Sequence, residues 1–135
     1  AVDSCIATNY GTIKLSELAL GNGPFVIGPA VERKVGLSAF SQLAINATEW
    51  QTAAWAKEKG LYHEVFDTVE QMDAYIDSFT QRLANSSPAA LTALKQVLWK
   101  DTDHWDQLLE ERAAISGKLV TTDDAQMAIR ASKIV

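Results

Sequence analysis

The sequence predicts an α+β chain that is mostly helical, and three observations predict it. Residues 3–8 and 12–15 are short apolar runs parted by Asn9, Tyr10 and Gly11. Helix starters and stoppers punctuate the chain from Pro24 onward, and from Val69 apolar residues recur at alternating steps of three and four, the period of a helix with one buried face. Short strands followed by helices of this kind belong to the α+β class.

The two apolar runs are expected to pair as a hairpin, because Asn9 and Gly11 supply turn conformations. Pro29 suits the first turn of a helix running to Lys34, which Gly36 then ends. A second helix, from Ser38 to Asn46, carries Phe40, Leu43 and Ala44 on one side and Gln42 on the adjoining face. Residues 51–59 form a third, closed by Gly60, and Leu61 to Val65 reads as a short strand. Thr68 and Gln71 have the spacing of a capping box ahead of the stripe Val69, Met72, Ile76, Phe79 and Leu83, which must be buried against something. Ser87 and Pro88 open the next helix, with Leu91, Leu94 and Leu98 on its inner face. After a break at Asp101 to Asp103, a long helix runs to Leu119 with Trp105, Leu108, Leu109, Arg112 and Ile115 along one side. Thr122, with Asp123 and Asp124 behind it, starts a last short helix.

A length of 135 residues fits one domain. The net charge of −5, with no run of Lys or Arg, argues against nucleic acid or an anionic membrane as the main partner and leaves small molecules and other proteins. A lone cysteine, Cys5, reads as a small buried hydrophobe in a reducing, cytoplasmic compartment. Glycines and Pro29 interrupt the most apolar region before it reaches membrane-spanning length, and no basic leader opens the chain. A start at Ala1, almost directly into a strand, leads us to expect further sequence upstream. Trp50, Trp55, Trp99 and Trp105 all fall in segments read as helical, where they serve packing.

The chemistry-bearing residues are few. His63 and His104 lack the paired spacing of a zinc site, so no metal is expected. No serine sits in a G-x-S-x-G turn, and Gly21-Asn22-Gly23 lacks both the lysine and the spacing of a phosphate loop. One stretch, Ile13 to Gly36, looks arranged for chemistry: Glu17 stands alone among Leu15, Leu18 and Leu20, just before a glycine- and proline-punctuated turn. Such a carboxylate lies either at the lip of an apolar pocket or on the wet side of a strand end, and the second is the ordinary outcome.

An ordered set of motifs then resembles a known family. The run at Ala1, Asp3, Ile6 and Ala7, the S-E-L-x-L-G of Ser16 to Gly21 and the V-G of Val35 and Gly36 resemble the second half of the crotonase superfamily, the enoyl-CoA hydratase/isomerase family. Ala56 to Val65, Asn85 to Lys95 and Thr122 to Ala131 resemble its later segments in the same order. Spacing from Pro24 to Gly36 looks most like the methylglutaconyl-CoA hydratase-like branch.

The resemblance implies a fold in two parts: residues 1–65 as the remainder of a crotonase spiral core of ββα units, and residues 66–135 as a helical oligomerisation region of a trimer or hexamer. It implies chemistry on acyl-CoA thioesters, hydration or double-bond isomerisation through an enolate, with coenzyme A entering only as part of the substrate. Glu17 stands at the family's catalytic carboxylate, although Ser16 replaces the usual proline. Gln42 stands where the resemblance puts a second glutamate, and an amide there positions water without taking its proton. Pro24 and Phe25 are the implied substrate-binding residues, and Lys133 is the candidate for the CoA phosphates. The family's first half carries the CoA-binding loop and the oxyanion donors, so this chain by itself is expected to be inactive. The competing expectation is a non-catalytic helical interaction module.

Overall fold

The computed structural model describes residues 2–132. Two short strands, β1 (Ile6–Thr8) and β2 (Glu64–Phe66), pair in parallel, with Ile6 opposite Glu64 and Thr8 opposite Phe66. The helices are α1 (Gly28–Ile45), α2 (Ala53–Glu58), α3 (Val69–Ala84), α4 (Pro88–Leu98), α5 (Trp105–Val120) and α6 (Asp123–Ser132). A 3-10 turn, Glu17–Leu20, lies between β1 and α1. The architecture is α+β and mostly helical, as the sequence predicts.

The hairpin is the main correction. Asn9 to Gly11 does turn, with the Gly11 N–H donating to the Thr8 carbonyl at 3.0 Å, but residues 12–15 form no strand. Instead β1 spends its backbone groups on β2. The Asn9 N–H donates to the Phe66 carbonyl at 2.8 Å, and the His63 N–H to the Cys5 carbonyl at 2.7 Å. Ile13 makes a single antiparallel bridge with Gln51. A local turn signal sets where the chain reverses, whereas pairing goes to whichever partner completes the ladder, and for parallel strands that partner is remote.

Helix starts follow the sequence closely. Thr52, Thr68 and Ser87 each accept a hydrogen bond from the backbone N–H three residues on, at 3.1, 3.2 and 3.3 Å, so α2, α3 and α4 begin on real N-caps. Pro29 occupies the first turn of α1. This helix breaks at Gly36, where φ is 77° and ψ 164°, a backbone conformation restricted to glycine. The break folds the two halves together: Phe40 lies so close to Gly28 that a Cβ there would stand 3.1 Å from its Cζ. In a straight helix these residues would be about 18 Å apart along the axis. The predicted stop at Gly36 is therefore a sharp bend between two helical halves.

The buried apolar residues are small. They include Ala39, Ala47, Ala53, Ala56 and Ala125, with Leu15 and Leu43, and among the described residues no large side chain is fully buried. The stripe on α3 is only half-buried: Tyr75 stacks on Phe79 at 5.9 Å between centroids and meets Phe66 of β2 at 5.1 Å with the rings tilted by 43°, while Val69 and Leu83 remain exposed. Leu94, Leu98 and Ile115 are exposed too, while Leu91 of α4 and Trp105, Leu108, Leu109 and Leu119 of α5 are half-buried, so this chain covers the predicted inner faces only in part. Two packing expectations are corrected. Trp50 sits in the loop after α1, 58% exposed, with Lys14 Nζ 4.5 Å from its ring. Cys5 is half-buried. Among the described residues no helix is long and apolar enough to cross a membrane.

Candidate active site

Glu17 opens the 3-10 turn, and the turn is fixed at both levels of structure. Gly21 ends it in the left-handed region, φ 72° and ψ 23°. The Asn22 N–H closes back on the Glu17 carbonyl at 3.0 Å, and the Asn22 side chain accepts from the Gly23 N–H at 2.8 Å. Beneath it lies α6. A Cβ at Gly21 would come within 2.7 Å of the Ala125 Cα, and Ala125 is fully buried. Only glycine satisfies both the positive φ and the close approach.

The carboxylate this turn presents has one oxygen, Oε2, buried without a hydrogen-bond partner. Leaving a buried carboxylate oxygen unpaired costs free energy, which folded proteins ordinarily avoid by supplying a donor. Glu17 borders a cavity of about 530 Å³ that Phe25 and Ile27 line together with Trp105 and Leu109 of α5. Among the described lining residues Glu17 is the one ionisable group. A carboxylate facing an apolar space of this kind is equipped to accept and return a proton on a bound molecule.

The structure sorts the sequence candidates. Glu17, Pro24 and Phe25 border the same cavity. Gln42 does not: it is exposed, on the half of α1 beyond the bend, because Gly36 turns that half away to pack Ala39 and Leu43 into the interior. Lys133 lies outside the described residues. Trp105 and Leu109 join the site unannounced; in the sequence they are simply the apolar side of α5, and no local signal links them to Glu17.

A second cavity, about 500 Å³, lies on the other face of the first half of α1, so that Ile27 and Ala30 border both. At its rim Asp3 accepts hydrogen bonds from Lys95 Nζ and Trp99 Nε1, and Lys34 donates to the Asp3 carbonyl at 2.8 Å. The hydrogen bond from Lys95, then that from Trp99, holds the Asp3 carboxyl below its ordinary 3.8. Trp99 in turn meets Trp105 edge to face, centroids 6.0 Å apart at 85°. Elsewhere, His63 Nδ1 is 2.8 Å from Ser4 Oγ in an exposed pair, and His104 is exposed just before α5. Among the described residues no group of three or more His, Cys, Asp or Glu could hold a metal ion.

A carboxylate on a glycine-ended turn, above an apolar cavity and between a short sheet and a helical tail, defines a class that comparison identifies. The profile of the enoyl-CoA hydratase/isomerase family matches residues 1–132, and the chain belongs to that family. Solved structures share the fold. They include an enoyl-CoA hydratase from Bacillus halodurans, 18% identical with a TM-score of 0.86 and covering 96% of this chain and 52% of that one. An enoyl-CoA hydratase/isomerase from Pseudoalteromonas atlantica T6c is 15% identical with a TM-score of 0.84, over 96% and 52%. An enoyl-CoA hydratase from Mycobacterium avium is 24% identical with a TM-score of 0.81, over 96% and 50%. The chain thus spans about half the length of these solved relatives. No curated protein matches it by sequence.

Proposed function

We propose that the chain is the glutamate-bearing C-terminal half of an enzyme that hydrates or isomerises the double bond of an acyl-CoA thioester. The observation that carries this reading is Glu17 itself, which borders an apolar cavity and has one carboxylate oxygen, Oε2, buried without a hydrogen-bond partner. In isomerisation the carboxylate takes a proton from the α-carbon, which is acidified by the adjacent thioester carbonyl. The C–H electron pair moves into an enolate whose charge rests on the carbonyl oxygen, and Glu17 returns the proton two carbons along. In hydration it takes a proton from water, the oxygen adds to the β-carbon, and the proton is delivered to the α-carbon. Either cycle leaves Glu17 as it began. Pre-aimed donors for the enolate oxygen, and the grip on the CoA portion, fall to the part of the fold outside this sequence. Coenzyme A is part of the substrate and no further cofactor is required.

Residues 1–65 complete the catalytic core in this reading, and residues 66–135 carry the assembly surface, in a cytoplasmic trimer or hexamer. The exposed Leu94, Val97, Leu98 and Ile115 support such a covered surface. Those same residues favour the competing reading, a non-catalytic interaction module, but that reading gives the buried oxygen of Glu17 nothing to do.

The test is the Glu17→Gln variant of the full-length protein. Turnover of enoyl-CoA substrates is expected to fall by about 10²–10⁴-fold, the usual contribution of a positioned acid/base, with substrate binding little changed. Wild-type turnover by the variant would end the catalytic reading.

A further inference from the structure

Trp105 occupies a place that the proton chemistry does not use. It borders the Glu17 cavity and also a more open hollow of about 370 Å³ lined by Pro29, Glu32, Arg33, Gly36 and Leu37. The residue is thus a wall common to the two spaces. It is a held wall. Trp105 is the first residue of α5, half-buried, and its edge contact with Trp99 is backed by the bond from Trp99 Nε1 to Asp3. Arg33 reinforces the same corner, 5.6 Å from the Trp99 ring and bonded to the Leu98 carbonyl.

We infer that Trp105 sets the length of acyl group the site accepts: an apolar acyl chain lies in the Glu17 cavity and stops at the indole. The inference rests on the acyl-CoA reading of Glu17 and goes beyond it by assigning substrate selection to a residue of α5. The cavity wall is apolar where Trp105 and Leu109 form it, which suits a hydrocarbon chain. Because the same residue borders the hollow that Leu37 and Arg33 also line, shortening the side chain at position 105 is expected to join the two spaces without touching Glu17. Leu109, one turn along on the same helix face, borders the cavity from the same side.

The experiment measures kcat/KM of the full-length protein for straight-chain enoyl-CoA substrates of four to sixteen carbons. Trp105→Phe and Trp105→Ala are compared with wild type, as is Leu109→Trp, which adds bulk to the wall. One methylene too many in an apolar pocket is worth about 10–200-fold in specificity. Trp105→Ala is therefore expected to raise the ratio of long- to short-chain kcat/KM by at least about tenfold, Trp105→Phe by less, and Leu109→Trp to lower it. If wild type turns over these substrates and both Trp105→Phe and Leu109→Trp leave the length profile unchanged, the ruler is overturned while the reading of Glu17 stands. If wild type turns over none of them, and Glu17→Gln is indistinguishable from it, the reading of the site fails and the ruler with it. Should Trp105→Ala fail to fold, the opposite shifts of Trp105→Phe and Leu109→Trp decide the matter.

Discussion

Replacing Gly21 with alanine tests whether the seat of the 3-10 turn on α6 fixes Glu17. Two costs combine. Placing an L-residue at φ 72° costs about 1–2 kcal/mol. The new methyl would also stand 2.7 Å from the Ala125 Cα and 3.0 Å from its N and Cβ, a backbone collision that no rotamer relieves. Overpacking of this sort costs about 1–3 kcal/mol. Together they come to about 2–5 kcal/mol, and the strain falls on the turn that carries the carboxylate. Denaturant unfolding of the full-length protein should show a loss within this range, and turnover should fall with it. Gly21→Asn separates the two terms, because asparagine tolerates positive φ but still carries the Cβ. If Gly21→Asn is as stable as wild type, the loss was backbone strain alone and the packing of α6 on the turn has been misjudged. A loss below about 1 kcal/mol for Gly21→Ala would refute both.

Gln42→Glu should leave the ratio of hydration to isomerisation unchanged, since Gln42 is exposed and does not border the Glu17 cavity; product analysis checks it. Thr68→Ala should cost about 1 kcal/mol in unfolding experiments through loss of the hydrogen bond accepted from the Gln71 N–H. The Asp3 carboxyl is held below 3.8, so its contribution to stability is present above that pH and is lost as pH falls through the lowered value. Tryptophan emission followed on acidification should report Trp99 loosening below about pH 3.8, a transition absent in Asp3→Asn. Tyr62 titrates above its ordinary 10.0, chiefly through burial and then through Cys5. Its contribution is therefore full below pH 10.0 and lost as pH rises through the raised value, and Tyr62→Phe should remove this alkaline sensitivity together with the 2.9 Å bond to the Gly11 carbonyl.

The helices were legible because their signals are local. Caps at Thr68 and Ser87, the proline opening α1 and the stripe on α3 each declare themselves within one or two turns. Pairing was not legible: β1 and β2 are three residues each, and their parallel register depends on α1 and α2 carrying the chain between them. Glu17 could be singled out by its apolar neighbours, yet nothing in Ser16 to Gly21 says that Oε2 is buried or that residues of α5, remote in sequence, border the same cavity. Gln42 shows the converse limit of a sequence reading. A count along the sequence from Gly36 takes no account of the bend there, which sends the two halves of α1 to different surroundings.

The alanine interior has a consequence for how this chain tolerates change. Ala39, Ala47, Ala53, Ala56 and Ala125 are buried at separate places in the fold, and at Ala125 the backbone of Gly21 approaches to methyl distance. A saturation scan should therefore look inverted relative to an ordinary leucine-rich domain. The smallest residues would be the least replaceable, rejecting even valine, whereas the bulky side chains on the outer faces of α4 and α5 could shrink with little effect on the chain's own folding. For folding, the constraint thus lies on the smallest buried residues, whereas the constraint on the outer faces comes from whatever covers them.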